Sequence, residues 1–370
     1  LKPARKTSKS DGGKTKLIID SLVRHWLFMG SLAGLLASSL YLEQTPHFSV
    51  NDFSILFLLF SLFVTVKGLE VSGILENMTV RLEKGGYVAL KLTLVTFFLS
   101  MVFTNDAALV VMVPVTISME LSNKAWLVIL EALAANAGSA LTPFGNPQNL
   151  FIFWHFNLDP MEFMKVMLPF SLLFLCLLSA AGLFLDRKCR AVSSGKSPPV
   201  NMIKGTVFLF STLVVILAIL KIIPAFWAAA VILLLPFLEP SCLKVDYGLL
   251  LTILCFMGIS ENFQAIFQTT IEHSRHVFLL SALSSQVISN VPAALLFAKF
   301  TTNWKALLWG TNVGGFGGLI GSLANLIAYK MYISSKKETG IVGFTLKFMA
   351  ANYTCFLIGT LVFYVLRKHL

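Results

Sequence analysis

Ala135-Asn-Ala-Gly-Ser-Ala-Leu-Thr-Pro-Phe-Gly-Asn-Pro-Gln-Asn-Leu150 is a run of small, polar and helix-breaking residues framed on both sides by strongly apolar sequence. Such a run does not continue one ordinary membrane helix, because irregular backbone at membrane depth is tolerated only where protein or a water-filled cavity surrounds it. The feature occurs twice. Thr311-Asn-Val-Gly-Gly-Phe-Gly-Gly-Leu-Ile-Gly-Ser-Leu-Ala-Asn-Leu326 repeats it: placing Asn136 on Asn312 also places Gly138 on Gly314, Gly145 on Gly321, Asn149 on Asn325 and Leu150 on Leu326 at one constant offset. Matches at a fixed offset mark an internal repeat.

Composition narrows the class. Of 370 residues, 56% are apolar and 13% charged, which excludes a soluble domain and indicates a polytopic membrane protein. The net charge of +11 falls in short segments between apolar spans rather than on one face, the distribution of the positive-inside bias. The implied surroundings are a lipid bilayer in the cytoplasmic membrane, with no nucleic-acid partner. Cys176, Cys189, Cys242, Cys255 and Cys355 show no CxxC or His/Cys spacing, so free thiols are expected rather than a disulfide or metal framework. The histidines are scattered over tail and loops and form no metal cluster. Residues 1–24 carry Lys2, Arg5, Lys6, Lys9, Lys14 and Lys16 among Ser and Gly and read as a disordered cytoplasmic tail. Ala37-Ser-Ser39 is a weak cleavage site inside a span of ordinary length, so no cleaved signal is expected.

Apolar runs predict spans near 26–42 and 53–69, then two short runs near 87–103 and 107–119 separated by Thr104-Asn-Asp106. A thirteen-residue arm covers about 20 Å, too little to cross. A re-entrant hairpin with a buried tip fits, since charges (Arg81, Glu83 and Lys84 before, Glu120 and Lys124 after) flank the pair. A broken crossing at 125–155 and a return span at 163–185 follow. Asp186, Arg187, Lys188, Arg190, Lys196 and Lys204 then make a cytoplasmic linker. The second half predicts spans at 206–221, 224–238 and 248–260, a hairpin with arms at 277–288 and 292–301, a broken crossing at 305–330 and a last span at 341–366. The span at 206–221 has no counterpart, and one odd helix inverts the second repeat. The expected fold is all-α and polytopic: an inverted-topology repeat with two re-entrant hairpins and two broken transmembrane helices. Its segments are 1–24 (tail), 25–185 (first repeat), 186–222 (linker and connecting helix) and 223–370 (second repeat), with the N-terminus cytoplasmic and the C-terminus external.

Four helix starts should meet near the midplane. Thr104, Asn105 and Asp106 cap one returning arm and Ser289-Asn290, with Pro292 in the first turn, the other. Asn146 precedes Pro147, a first-turn proline, and Ser322 caps the equivalent half-helix. Helix starts carry partial positive charge and suit an anion. The opposite ends, near Phe103, Ala135, Ile288 and Thr311, leave carbonyls for a cation such as Na+, which Asn105, Asn136, Asn290 and Asn312 would help to hold. Gly138, Gly145, Gly314, Gly315 and Gly318, with Thr142, Asn149 and Asn325, complete the candidate substrate and ion site; close helix packing alone also accounts for such glycines. Asp106 is either a structural cap or an ionisable group. Glu131 is either half of a salt bridge or a proton carrier, and its repeat equivalent is Leu307, so its role is asymmetric. Lys67, Glu70, Lys91 and Glu261 lie near span ends, where long side chains snorkel.

At Thr104-Asn-Asp-Ala-Ala-Leu, at 136–149, at Ser289-Asn-Val-Pro and at 312–325, the chain resembles the ion transporter superfamily, which holds arsenite permeases, sodium–proton antiporters and divalent-anion (citrate and dicarboxylate) permeases. It looks closest to its YbiR-like inner-membrane branch. The resemblance covers about 25 to 366 and implies a secondary transporter, a homodimer and an elevator-like motion, coupled to H+ or Na+ and without a cofactor. Dicarboxylate permeases carry Ser-Asn-Thr at both tips. Here the tips are Thr104-Asn105-Asp106 and Ser289-Asn290-Val291, so the asparagines match and the threonines do not. That departure favours a small anion or weakly acidic oxyacid over a dicarboxylate. A sodium–proton antiporter is the alternative reading and an ion channel a remote one. An enzyme is not expected, for the chain lacks HExxH, GxSxG and a nucleotide loop.

Overall fold

The computed structural model describes residues 11–75, 77, 86–119, 123–186, 200–267, 273–335 and 340–368, with side chains from residue 26 onward. It is all-helical among the described residues. The first half comprises α1 (Asp11–Leu42), α2 (Val50–Val71), the short pair α3 (Val88–Val102) and α4 (Asn105–Ser118), the half-helices α5 (Lys124–Ser139) and α6 (Pro147–His155), and α7 (Pro160–Asp186). After α8 (Met202–Ile219), the second half repeats the order: α9 (Phe226–Leu238), a 3-10 turn (Pro240–Leu243), α10 (Tyr247–Phe267), the pair α11 (Ser274–Ile288) and α12 (Asn290–Ala298), the half-helices α13 (Trp304–Gly314) and α14 (Leu323–Ser334), and α15 (Ile341–Leu366).

Local chemistry sets these boundaries. Ser49 and Asp52 form a reciprocal capping box at the start of α2, satisfying donors that a helix start otherwise leaves unpaired. Among the described residues, five segments are long and apolar enough to cross a membrane: Val50–Val71, Pro160–Asp186, Met202–Ile219, Pro240–Phe267 and Ile341–Leu366. The hairpin arms and half-helices are shorter. Those short elements pack together. α3 lies along α5 as α11 lies along α13; α6 packs on α12 and, reciprocally, α14 packs on α4. The exchange of contacts between halves is the spatial counterpart of the repeat in the sequence.

Several boundaries differ from expectation. α5 runs through Asn136 to Ser139, and α13 runs through Asn312 to Gly314, so the breaks lie at 140–146 and 315–322, past Ala135 and Thr311. Asn136-Ala-Gly-Ser139 has small residues that a buried helix accommodates, and the chain leaves the helix only as Pro143 and Gly145 approach. α1 starts at Asp11, within the segment expected to be a tail. Residues 1–10, most of the charged linker (187–199), and Arg81, Glu83, Lys84 and Glu120 lie outside the described residues. Three of the four charges expected to snorkel are instead paired: Lys67 with Glu70 at 2.7 Å, and Glu261 with Lys299 at 2.8 Å.

Candidate functional site

Each hairpin tip is tied to the break in its own repeat. The Asn105 N–H donates to the Gly145 carbonyl at 3.0 Å, and the Asn290 N–H donates to the Gly321 carbonyl at 3.0 Å. Thr104, not Asp106, caps α4: its hydroxyl accepts from the Ala107 N–H at 3.2 Å. Asn146 caps α6, accepting from the Asn149 N–H at 2.9 Å, with Pro147 at the first helical position. The two second-repeat caps are not as expected. Ser289 makes no side-chain cap bond and holds a φ of 74°, a conformation that costs energy for a residue with a Cβ. Ser322 makes none either; its hydroxyl donates at 3.0 Å to Oδ1 of Asn136 in the other repeat.

Four asparagines at equivalent positions of the two broken crossings form a reciprocal lattice. Asn136 Nδ2 donates to Asn325 Oδ1 at 2.8 Å, and Asn312 Nδ2 donates to Asn149 Oδ1 at 2.8 Å. Asn149 also donates to the carbonyls of Ser139, Ala140 and Thr142, and Asn325 to those of Gly315 and Gly318. These amides close the carbonyl ends that the breaks expose. Asn136 Oδ1 further accepts from Asn105 Nδ2 at 3.3 Å, and Asn312 Oδ1 from Asn146 Nδ2 at 3.3 Å. The carbonyl of Thr311 lies inside α13 and accepts from the Gly315 N–H. The oxygens proposed for Na+ at Asn136, Asn312 and Thr311 are therefore engaged by protein donors.

Close approach explains two glycines. A Cβ on Gly138 would enter the space of the Phe97 carbonyl and the Ser100 hydroxyl, and one on Gly314 that of Ser285; each hairpin arm lies directly on its broken crossing there. At the neighbouring positions the crossing donates to the hairpin arm in both repeats, through a side chain in the first and the main chain in the second. Thr142 Oγ1 donates to the Met101 carbonyl at 2.7 Å, whereas Gln286 Oε1 accepts from the Gly318 N–H at 2.7 Å. Gly315 lies beside Asn290, 3.0 Å from its Nδ2 to the position a Cβ would take.

One cavity of about 160 Å³ joins the four helix starts: Asn105 and Asp106 of α4, Pro147 and Gln148 of α6, Ser289 and Asn290 at α12, and Ser322 and Leu323 at α14. Of the predicted site residues, Thr104, Asn136, Gly138, Thr142, Gly145, Asn146, Asn149, Asn312, Gly314, Gly315, Gly318 and Asn325 do not line it; they build the frame behind it. Gln148, Asp246, Thr252 and Lys330 line it without having been singled out by sequence. Asp246 caps α10 through the Leu249 N–H at 2.9 Å, and a cap before an apolar span gives no signal that the same residue also faces a cavity. One carboxylate oxygen of Asp106 is buried with no hydrogen-bond partner among the described residues. Glu131 is fully buried behind the cavity; Thr116 of the facing hairpin arm donates to its Oε1, its Oε2 has no partner, and no salt bridge reaches it among the described residues.

Duplicated broken crossings and hairpins whose helix starts border one shared cavity, within a shell of apolar spans, define a multi-pass membrane transporter. The model of the citrate transporter family, CitMHS, matches residues 17–309, and the chain belongs to that family. It is 31% identical over 296 residues to the uncharacterized transporter MJ0456 of Methanocaldococcus jannaschii, covering 77% of this chain and 82% of that protein. It is 32% identical over 299 residues to the inner membrane protein YbiR of Escherichia coli K12, covering 76% and 80%. A shorter match, 32% over 126 residues covering 32% and 26%, is to the silicon efflux transporter LSI3 of Oryza sativa subsp. japonica.

Proposed function

We propose that the chain is a secondary active transporter of a small anion or weakly acidic oxyacid, working as a homodimer in the cytoplasmic membrane. Its hairpins enter the bilayer from opposite faces, and the hairpins and broken crossings move together, elevator-like, against the remaining spans. The observation that carries this reading is the convergence of four helix starts on one cavity of about 160 Å³. Helix starts attract negative charge without a buried cation, and a cavity near this size accepts a guest of about six non-hydrogen atoms. Asp106 and Asp246 on the same wall disfavour a multiply charged anion. They also favour coupling by H+ over Na+; of the oxygens expected to hold Na+, those of Asn136, Asn312 and Thr311 already accept hydrogen bonds from protein donors. The same two acids support the second reading, a sodium–proton antiporter.

Purified protein in liposomes separates these readings. Arsenite, dicarboxylates, inorganic oxyanions and Na+ are offered under imposed H+ or Na+ gradients. The proposal expects saturable, gradient-driven uptake of one small oxyacid, abolished in Asn290→Ala and stripped of its pH dependence in Asp106→Asn. Flux of Na+ against H+ with no oxyacid transport selects the antiporter. Absence of any gradient-driven flux removes the transporter mechanism as proposed.

A further inference from the structure

The central cavity is asymmetric although the repeats around it are equivalent. α6 contributes only its first turn, Pro147 and Gln148, whereas α14 follows the cavity from Leu323 through Leu326 to Lys330. The floor, at Asn105, Asn290 and Ser322, is buried. Asp246 and Lys330 are exposed charges that also line it, and exposed charges mark the water-facing end of a cavity in a membrane protein. That end is the face of the 187–199 linker. The Asn201 N–H, before α8, donates to the Ser72 carbonyl, past α2, at 3.1 Å, and Lys204 pairs with Glu239, past α9, at 2.7 Å. Asp246 follows Glu239 after the 3-10 turn and caps α10, so it stands on the same face.

The equivalent route to the opposite face is filled. The offset that places Asn149 on Asn325 also places Leu150 on Leu326 and Trp154 on Lys330. Leu150 is fully buried. The indole N–H of Trp154 donates to the Ile219 carbonyl at 3.0 Å, and Lys221 Nζ lies 5.1 Å from the ring centroid. A half-buried indole needs such an acceptor, and this one ties α6 to the last residue of α8. Because α8 has no counterpart in the other half, position 330 has no equivalent anchor. α2 also packs on α6, whereas their counterparts α10 and α14 both line the cavity. We propose that substrate enters or leaves the cavity at the linker face, between Asp246 and Lys330, and that Trp154 is the gate of the opposite face, opened when its bond to Ile219 breaks. The proposal rests on the transporter reading: repeats of inverted topology supply two equivalent routes to one site, of which one is shut at a time, and the unpaired helix α8 decides which.

The test is labelling by a membrane-impermeant maleimide in right-side-out and inside-out vesicles, using the full chain with its native cysteines replaced. Lys196→Cys marks the linker face, so the absolute orientation does not enter. No transported substrate is needed either, so absence of flux in liposomes, which would remove the transporter reading, is separate from this result. Leu326→Cys is expected to be labelled from the linker face alone, and Leu150→Cys from neither face. Trp154→Phe, which keeps a ring and removes the N–H, is expected to speed labelling of Leu150→Cys from the opposite face about tenfold. An unlabelled Leu326→Cys, or one labelled from the opposite face, overturns the entrance. Labelling of Leu150→Cys with Trp154 intact overturns the gate, as does a rate unchanged by Trp154→Phe. If Leu150→Cys does not fold, Gln148→Cys, which lines the cavity, replaces it: labelling from the linker face alone should become labelling from both faces in Trp154→Phe, and labelling that stays one-sided overturns the gate.

Discussion

Asn149 and Asn325 spend their side chains on the main chain, not on a ligand. Asn149 closes three carbonyls at the end of α5 and accepts from Asn312. Leaving buried carbonyls unpaired costs about 1–3 kcal/mol for each group. Asn149→Ala is therefore expected to destabilise the protein by at least about 2 kcal/mol, seen as a lowered thermal unfolding midpoint in detergent, with Asn325→Ala milder because it closes two carbonyls. A wild-type midpoint for Asn149→Ala, with transport alone lost, would instead place this residue in direct contact with substrate. Glu131 and Asp106 differ in the same respect: both are acids with an unpartnered oxygen, but only Asp106 lines the cavity, so its substitution bears directly on the transported species.

At the scale of elements, the two hairpins are equivalent in sequence position and unequal in attachment. Gln286 of α11 reaches across the second break, donating to the carbonyls of Gly314 at 2.8 Å and Phe316 at 3.2 Å while accepting from Gly318. In the first repeat, one bond from Thr142 to Met101 does the corresponding job. At this register the second hairpin arm is thus bonded to its break several times through one side chain, and the first arm once. Hydrogen exchange should show the consequence. Gln286→Ala is expected to raise amide exchange across 314–322 by more than Thr142→Ala raises it across 140–146, because local opening follows the number of bonds that must break together. Equal increases would mean that backbone packing at Gly138 and Gly314, rather than these side chains, holds the hairpins in place.

Over the whole molecule, the expected topology puts the N-terminus and the 187–199 linker inside and the C-terminus outside, even though Arg367 and Lys368 oppose the positive-inside trend there. With the five native cysteines replaced, a membrane-impermeant maleimide applied to intact cells should label Lys368→Cys, and should label Lys196→Cys only after permeabilisation. The reverse pattern would invert the orientation while leaving the repeat intact. The sequence by itself determined the elements, their order and the repeat, because apolar runs, caps and chain breakers act over a few residues; α15 lies where the last apolar run does, and Thr104 and Asn146 cap where their residue types predict. It also named Asn105, Asp106, Asn290 and Ser322, which face the cavity, since helix starts are local features. Only the tertiary structure decided which polar groups face the cavity and which face each other. Asn136 finds Asn325 and Ser322 across the two repeats, and Asp246 reaches the cavity from before α10. Ser322 shows the physical reason most directly: it stands at the position of Asn146, yet its hydroxyl leaves its own helix start for an amide in the opposite half, a choice set by a neighbour that no local pattern contains.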